Sequence, residues 1–163
     1  MKQTTLCFLL NDRGEVLLAM KKRGFGTGKW NGVGGKVQEW EDIVTAALRE
    51  IKEEIGVTVA PDALASAGVL EFDYGDNHDW DQVCNIFTVR RWEGNPVESE
   101  EMRPQWYAMH KLPFDAMWVD DPHWLPLVLA GKKIKGKFLF EDKGGSLINF
   151  AVSEVYKEKP DIV

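Results

Sequence analysis

The sequence predicts an α/β domain, and two observations carry that expectation. Short apolar runs of strand length recur along the chain, at residues 6–10, 16–20, 69–74 and 83–89. Between the second and third lies a segment, residues 44–55, whose apolar side chains return at the helical period and which stops at Gly56. With 163 residues, 44% of them hydrophobic, the chain is long enough for one real core and needs no second domain. We assign residues 1–155 to that domain and 156–163 to a polar tail.

In chain order, runs 6–10 and 16–20 flank Asn-Asp-Arg-Gly-Glu, a turn-rich segment that suggests a hairpin. Both runs are continuous rather than alternating, as expected of central strands buried on two faces. Residues 21–36 then hold six of the fifteen glycines and five basic residues, a loop in which backbone and cations approach something closely. Lys21 and Arg23 are its candidates for anion binding. The loop runs into the helical segment, where Val44, Ala47, Leu48, Ile51 and Ile55 form an apolar stripe and Glu50, Glu53 and Glu54 share another face. Like charges at that spacing repel by a few tenths of a kcal/mol per pair. Mg²⁺, which takes carboxylate oxygens and completes its shell with water and phosphate, would supply the missing positive charge.

Residues 69–74 and 83–89 read as strands joined by a polar loop in which His78 is a solvated residue. A polar connection, 93–101, leads to a strand at 102–109, and Pro104 within it argues for a sheet edge or a bulge. Residues 112–131 read as a short turn or helix, a loop through Asp120 and Asp121, and a helix closing near Gly131, with Pro122 in its first turn and Asp121 as its cap. Runs 137–141 and 147–152 around Lys-Gly-Gly make a final hairpin.

A net charge of −6 argues against stable nucleic-acid binding, which calls for a basic surface. Cys7 and Cys84 lie in apolar contexts without metal-ligand spacing, so they read as buried reduced thiols and imply a cytoplasmic setting. The first apolar run is too short for a signal sequence or a membrane span.

The spacing of Gly35, Glu41, Arg49, Glu50, Glu53, Glu54 and Gly56 resembles the complete Nudix hydrolase signature, with every defined position filled. Further stretches, 20–26, 29–39, 96–104 and 117–121, are similar to the branch of that family that destroys oxidised purine nucleoside triphosphates, the MutT-homologue type. The resemblance implies an α/β/α sandwich around a mixed β-sheet with the Nudix loop-helix-loop on one side. It implies Mg²⁺, with Mn²⁺ as an alternative, held by Glu50, Glu53, Glu54, the Gly34 carbonyl and Glu101. It implies substrate contacts at Lys21, Asn31, Val33, Gly34, Gly35 and Lys36, and a base-recognition loop at Trp118, Val119, Asp120 and Asp121. Glu41 and Arg49 resemble the pair that braces the box.

Two positions depart from that pattern. Trp40 stands where glycine is common and would be strained at positive φ, and Val119 stands where proline is frequent.

The chemistry expected is hydrolysis of 8-oxo-dGTP or 2-oxo-dATP to monophosphate and pyrophosphate by a monomer, with Glu53 or Glu54 taking the water's proton. Adjacent carboxyls at Asp120 and Asp121 would read the base, one of them holding its proton through burial and mutual repulsion. The alternatives are a Nudix hydrolase of a dinucleotide, nucleotide sugar or RNA end, and a nucleotide-binding module without turnover.

Overall fold

The structure is a computed structural model that describes residues 1–156; apart from Tyr156, the tail assigned to 156–163 lies outside the described residues. Among the described residues eight strands form two sheets. They are β1 (Lys2–Leu9), β2 (Glu15–Lys21), β3 (Trp30–Asn31), β4 (Leu64–Tyr74), β5 (Gln82–Val89), β6 (Met102–Ala108), β7 (Ile134–Glu141) and β8 (Ser146–Glu154). The larger sheet runs β1-β5-β4-β7-β8 and the smaller β3-β2-β6. The larger one is mixed: β1 with β5 and β4 with β7 are parallel, whereas β4 with β5 and β7 with β8 are antiparallel.

The continuous apolar runs of β1 and β2 serve two cores at once, because successive side chains point to opposite faces. Phe8, Leu10, Val16 and Leu18 pack on one side with Trp124, Leu125 and Val128 of helix α2 (Asp121–Leu129). Cys7, Leu9, Leu17 and Ala19 pack on the other with Ala47, Ile51 and Ile55 of helix α1 (Ile43–Ile55). The sheets therefore lie between α1 and α2, the layering of an α/β/α sandwich. Both cysteines are free and buried.

The expected hairpin of the first two runs does not form. The chain does reverse between them, with a single bridge from Leu10 to Val16, but β1 pairs with β5 and β2 with β6. Nor is β1 central in its sheet, since it stands at the end of the strand order. Pro104 lies on β6, an edge strand, where its missing N–H costs nothing, and β7 with β8 forms the final hairpin.

In α1 the apolar stripe is displaced: Val44 is exposed and Ala46 is buried in its stead. Helix α2 includes Asp121, with Pro122 next, and Asp120 occupies the cap position without a side-chain cap bond. Asp121 is not the cap. Its carboxylate accepts instead from the backbone N–H of Trp118 at 3.2 Å.

Gly68 marks the register shift in β4, at φ +127°, and a Cβ there would overlap the Ile134 carbonyl of the neighbouring parallel strand. Gly68→Ala is expected to destabilise the fold by roughly 2–4 kcal/mol through backbone strain and a broken β4–β7 pairing. A shift in the midpoint of urea unfolding measures this; an unchanged midpoint refutes it.

Candidate active site

The site begins where a glycine loop closes onto β1. Cys7 and Val33 exchange backbone hydrogen bonds at 2.6 and 3.0 Å, Thr5 N–H donates to Gly35 at 2.9 Å, and Val37 N–H donates to Gln3 at 2.9 Å. The approach is so close that a Cβ on Gly34 would overlap the Thr5 carbonyl, and one on Gly35 would lie 2.5 Å from Glu50 Oε1. Helix α1 follows, started by Asp42, which accepts from Thr45 N–H at 2.7 Å, and ended by Gly56 at φ +76°.

Arg49 organises the acidic face. Its Nε donates to Glu41 at 3.0 Å, its Nη1 to Glu50 at 3.0 Å and to Glu53 at 3.2 Å, and its Nη2 to the Lys36 carbonyl at 3.2 Å. The Glu41 side chain is closed off from solvent, so this is not an exposed surface ion pair. The charge that balances Glu50 and Glu53 is thus supplied by a guanidinium rather than left wholly to a metal ion.

Glu54 is the exception. It is 5% exposed, and its Oε2 has no hydrogen-bond partner among the described residues. Burial first, then the hydrogen bond and charge of Glu50 and the charge of Glu101, push its pKa up to about 9, against the opposing pull of the Gly34 N–H. An orphaned buried carboxyl beside a second carboxylate, all donors oxygen, fits a hard divalent cation.

A cavity of about 270 Å³ runs from the glycine loop to the start of α2. Lys21, Asn31, Gly34, Gly35 and Lys36 line it together with Trp118, Asp120 and Asp121. Asp120 is 4% exposed and accepts from Trp124 Nε1 at 2.7 Å; burial lifts its pKa to about 6 despite that donor. Asp121 is 2% exposed, and burial followed by the neighbouring Asp120 charge raises it well above the usual carboxylate range. Trp118 has the Phe25 ring at 5.1 Å and the Lys29 ammonium at 5.0 Å from its centroid.

Three expected substrate residues do not line the cavity. Arg23 lies beyond the end of β2, exposed, and pairs with Glu101 at 3.3 Å and Glu100 at 3.8 Å. Val33 is a core side chain on the α1 side, and Val119 is on the surface. Glu101 itself is exposed and held by Arg23, although its charge is felt at Glu54. Trp40 does not have positive φ, a conformation that among the described non-glycine residues falls to Asp142 and Lys143, and it is 75% exposed.

Cavity residues that the sequence did not disclose include Phe25, Lys29, Phe72, Tyr74, Gln82 and Cys84. The first two belonged to a segment already marked by its glycines and cations; the others sit on strands, and only the fold shows which face meets the cavity. A separate group, Asp73, His78 and Asp81, gathers at the β4–β5 loop, where Asp81 accepts from Tyr74 N–H at 2.7 Å and faces His78 Nδ1 at 3.0 Å, raising the pKa of that imidazole.

The NUDIX domain model matches residues 2–128. Over 134 residues the chain is 51% identical to the oxidized purine nucleoside triphosphate hydrolase of Danio rerio, covering 82% of this chain and 83% of that one. It is 44% identical over 151 residues to the protein of the same name from Mus musculus, covering 93% and 94%. The crystal structure of a MutT protein from Bacillus halodurans superposes with a TM-score of 0.80 at 22% identity, covering 93% of this chain and 97% of that one, which shows a shared fold.

A raised folded-state pKa means that the neutral form of Glu54 contributes full stability below the ordinary carboxylate value, and that this contribution is lost as pH climbs towards about 9. In chelator, Glu54→Gln should therefore gain Tm relative to the parent as pH rises from 6 to 9, and should lose most of the Tm increase that added Mg²⁺ gives the parent. A variant that tracks the parent in both conditions removes Glu54 from the cation site. Trp40→Gly relieves no backbone strain and should change stability by less than about 0.5 kcal/mol, with turnover within twofold of the parent; a clear rise in turnover would show strain after all.

Proposed function

The chain belongs to the Nudix family of hydrolases, and from that premise we propose that it is a Mg²⁺-dependent pyrophosphohydrolase converting oxidised purine nucleoside triphosphates, such as 8-oxo-dGTP or 2-oxo-dATP, to monophosphate and pyrophosphate. The observation that carries this reading is a single cavity with cations and the Glu50-backed glycine loop at one end and a buried pair of adjacent aspartates at the other. A triphosphate and a base need those two ends. The names of the two relatives point the same way.

Glu50, Glu53, Glu54 and the Gly34 carbonyl are the groups we assign to the metal, with Glu101 joining if it leaves Arg23. When bound, the cation would neutralise phosphate oxygens and lower the pKa of an attacking water. Glu53, the solvent-facing member of the set, is placed to accept that water's proton, whereas Glu54 holds a proton of its own until a cation displaces it. Lys21 and Lys36 draw the phosphates into the cavity.

At the far end Trp118 offers a face for stacking, largely indifferent to which purine arrives. Ionised Asp120 accepts from the N–H donors of a guanine-type edge, and neutral Asp121 donates to an acceptor beside them. Buried reduced thiols suit the cytoplasm, where we place the protein as a monomer. Among the described residues no helix is long and apolar enough to cross a membrane.

The test is a hydrolysis screen over normal and oxidised nucleoside triphosphates, dinucleotides and nucleotide sugars, with and without Mg²⁺, with products identified. Turnover confined to dinucleotides or nucleotide sugars would overturn the substrate assignment. Asp120→Asn should lower kcat/KM for 8-oxo-dGTP by about ten- to a hundredfold, with a different loss for 2-oxo-dATP. Because Asp120 must be ionised to accept, kcat/KM of the parent for the guanine-type substrate should fall as pH drops below about 6. A profile flat to pH 5 contradicts that role.

A further inference from the structure

Tyr74 ends β4 at the wall of the same cavity and has no part in the scheme so far. Its ring is clamped on two sides: it stacks on Phe140 at 4.9 Å with an 18° interplanar angle and meets Trp80 edge-on at 5.6 Å and 85°. The residue is only 7% exposed, but its hydroxyl has no hydrogen-bond partner among the described residues and is not itself buried, so it meets solvent. A phenol O–H that ends a buried ring and still meets solvent is free to donate to a ligand there.

Burial, and then the negative charges of Asp120 and Asp81, hold the phenol in its neutral form; with the Cys84 thiol of β5 and neutral Asp121 of α2 also facing it, it stays a donor at any working pH. The aspartate pair beside it supplies a single donor, the neutral Asp121. An ionised Asp120 only accepts, and the acceptor atoms of a purine ring, nitrogen or carbonyl oxygen, need donors.

We propose that the Tyr74 hydroxyl is a specificity-determining group of the base pocket, donating a hydrogen bond to an acceptor atom of the purine beside Asp120. This rests on the base-pocket reading given above. The tyrosine ring does structural work against Phe140 and Trp80, and the hydroxyl adds a second donor to the one that neutral Asp121 supplies.

Tyr74→Phe tests the hydroxyl while keeping the ring. Binding of 8-oxo-dGMP and 2-oxo-dAMP to metal-free protein is followed by tryptophan fluorescence, and hydrolysis of the triphosphates is measured beside it. Expected are an affinity for at least one of the two monophosphates lower by about three- to tenfold, a matching rise in KM for its triphosphate, kcat within twofold, and an unchanged Tm. A purely structural tyrosine would shift Tm and leave affinity alone, which overturns the proposal. Unchanged affinity for both monophosphates in a variant whose parent hydrolyses the triphosphates also overturns it and leaves the substrate assignment standing. A parent that neither binds the monophosphates nor hydrolyses the triphosphates overturns both.

Discussion

The pairing of residues 33–37 with the outer edge of β1 is the contact on which the rest of the site depends. Its four backbone hydrogen bonds, each worth about 0.5–1.5 kcal/mol net, pull the loop so near the strand that no side chain fits at Gly34 or Gly35. An otherwise open sheet edge is covered at the same stroke. The loop that emerges faces two ways. Gly35 presses on Glu50 of α1, and Gly34, Gly35 and Lys36 form the wall of the cavity that continues to Asp120. A displacement of β1 would therefore move the acidic helix relative to the pocket, coupling the two ends of the site through one strand.

Two carboxyl clusters use the same physics for different ends. In each, a buried acid stays neutral because water is excluded and a second carboxylate lies beside it. At α1 the guanidinium of Arg49 satisfies Glu41, Glu50 and Glu53 and leaves Glu54 unpaired, so that a proton occupies a place a cation can take. At α2 the donors are fixed protein groups, the Trp124 indole on Asp120 and the Trp118 amide on Asp121, and nothing positive is missing. Lys21, Lys29 and Lys36 around the cavity show why a net charge of −6 does not forbid an anionic ligand: the field at the site differs from the sum over the surface.

What could be read from the sequence follows from how local each determinant is. The loop-helix unit was legible because its glycines and its i, i+3, i+4 carboxylates all act within about twenty residues; the cap at Asp42 was not read. The burial of β1 and β2 on both faces was legible too, since continuous apolar runs say so directly. Their partners were not: Lys2 pairs with Gln82 and Glu15 with Ala108, contacts that turn signals at 11–15 cannot announce. Lys21 and Arg23 were equal candidates within the basic loop, but Lys21 is the last residue of β2, whereas Arg23 lies beyond it, exposed and paired with Glu101. Val44 fell outside the stripe because it stands in the first turn of α1, clear of the residues that pack on the sheets. Phe72 and Tyr74, two apart on β4, share a strand face, and only the assembled sandwich shows that this face meets the cavity.

Discrimination between one purine and another cannot come from most of the groups that line the site. Under the proposed function, stacking on Trp118 is nearly blind to edge substituents, and Lys21 and Lys36 are assigned to phosphate. That leaves the aspartates, Asn31 and Tyr74 as readers of the edge in the proposed function. Asp120 and Asp121 are adjacent, and with one proton between them they present one acceptor and one donor whose order reverses if the proton moves. The structure biases that choice. The Trp124 indole donates to Asp120 and holds the negative charge there, so reversing the order weakens a charge-assisted hydrogen bond worth roughly 1.5–3 kcal/mol. A guanine-type edge meets the resting arrangement directly. An adenine-type edge must offset that cost with its own hydrogen bonds, so a pocket that accepts both still ranks them, and the ranking is set by a tryptophan outside the pair.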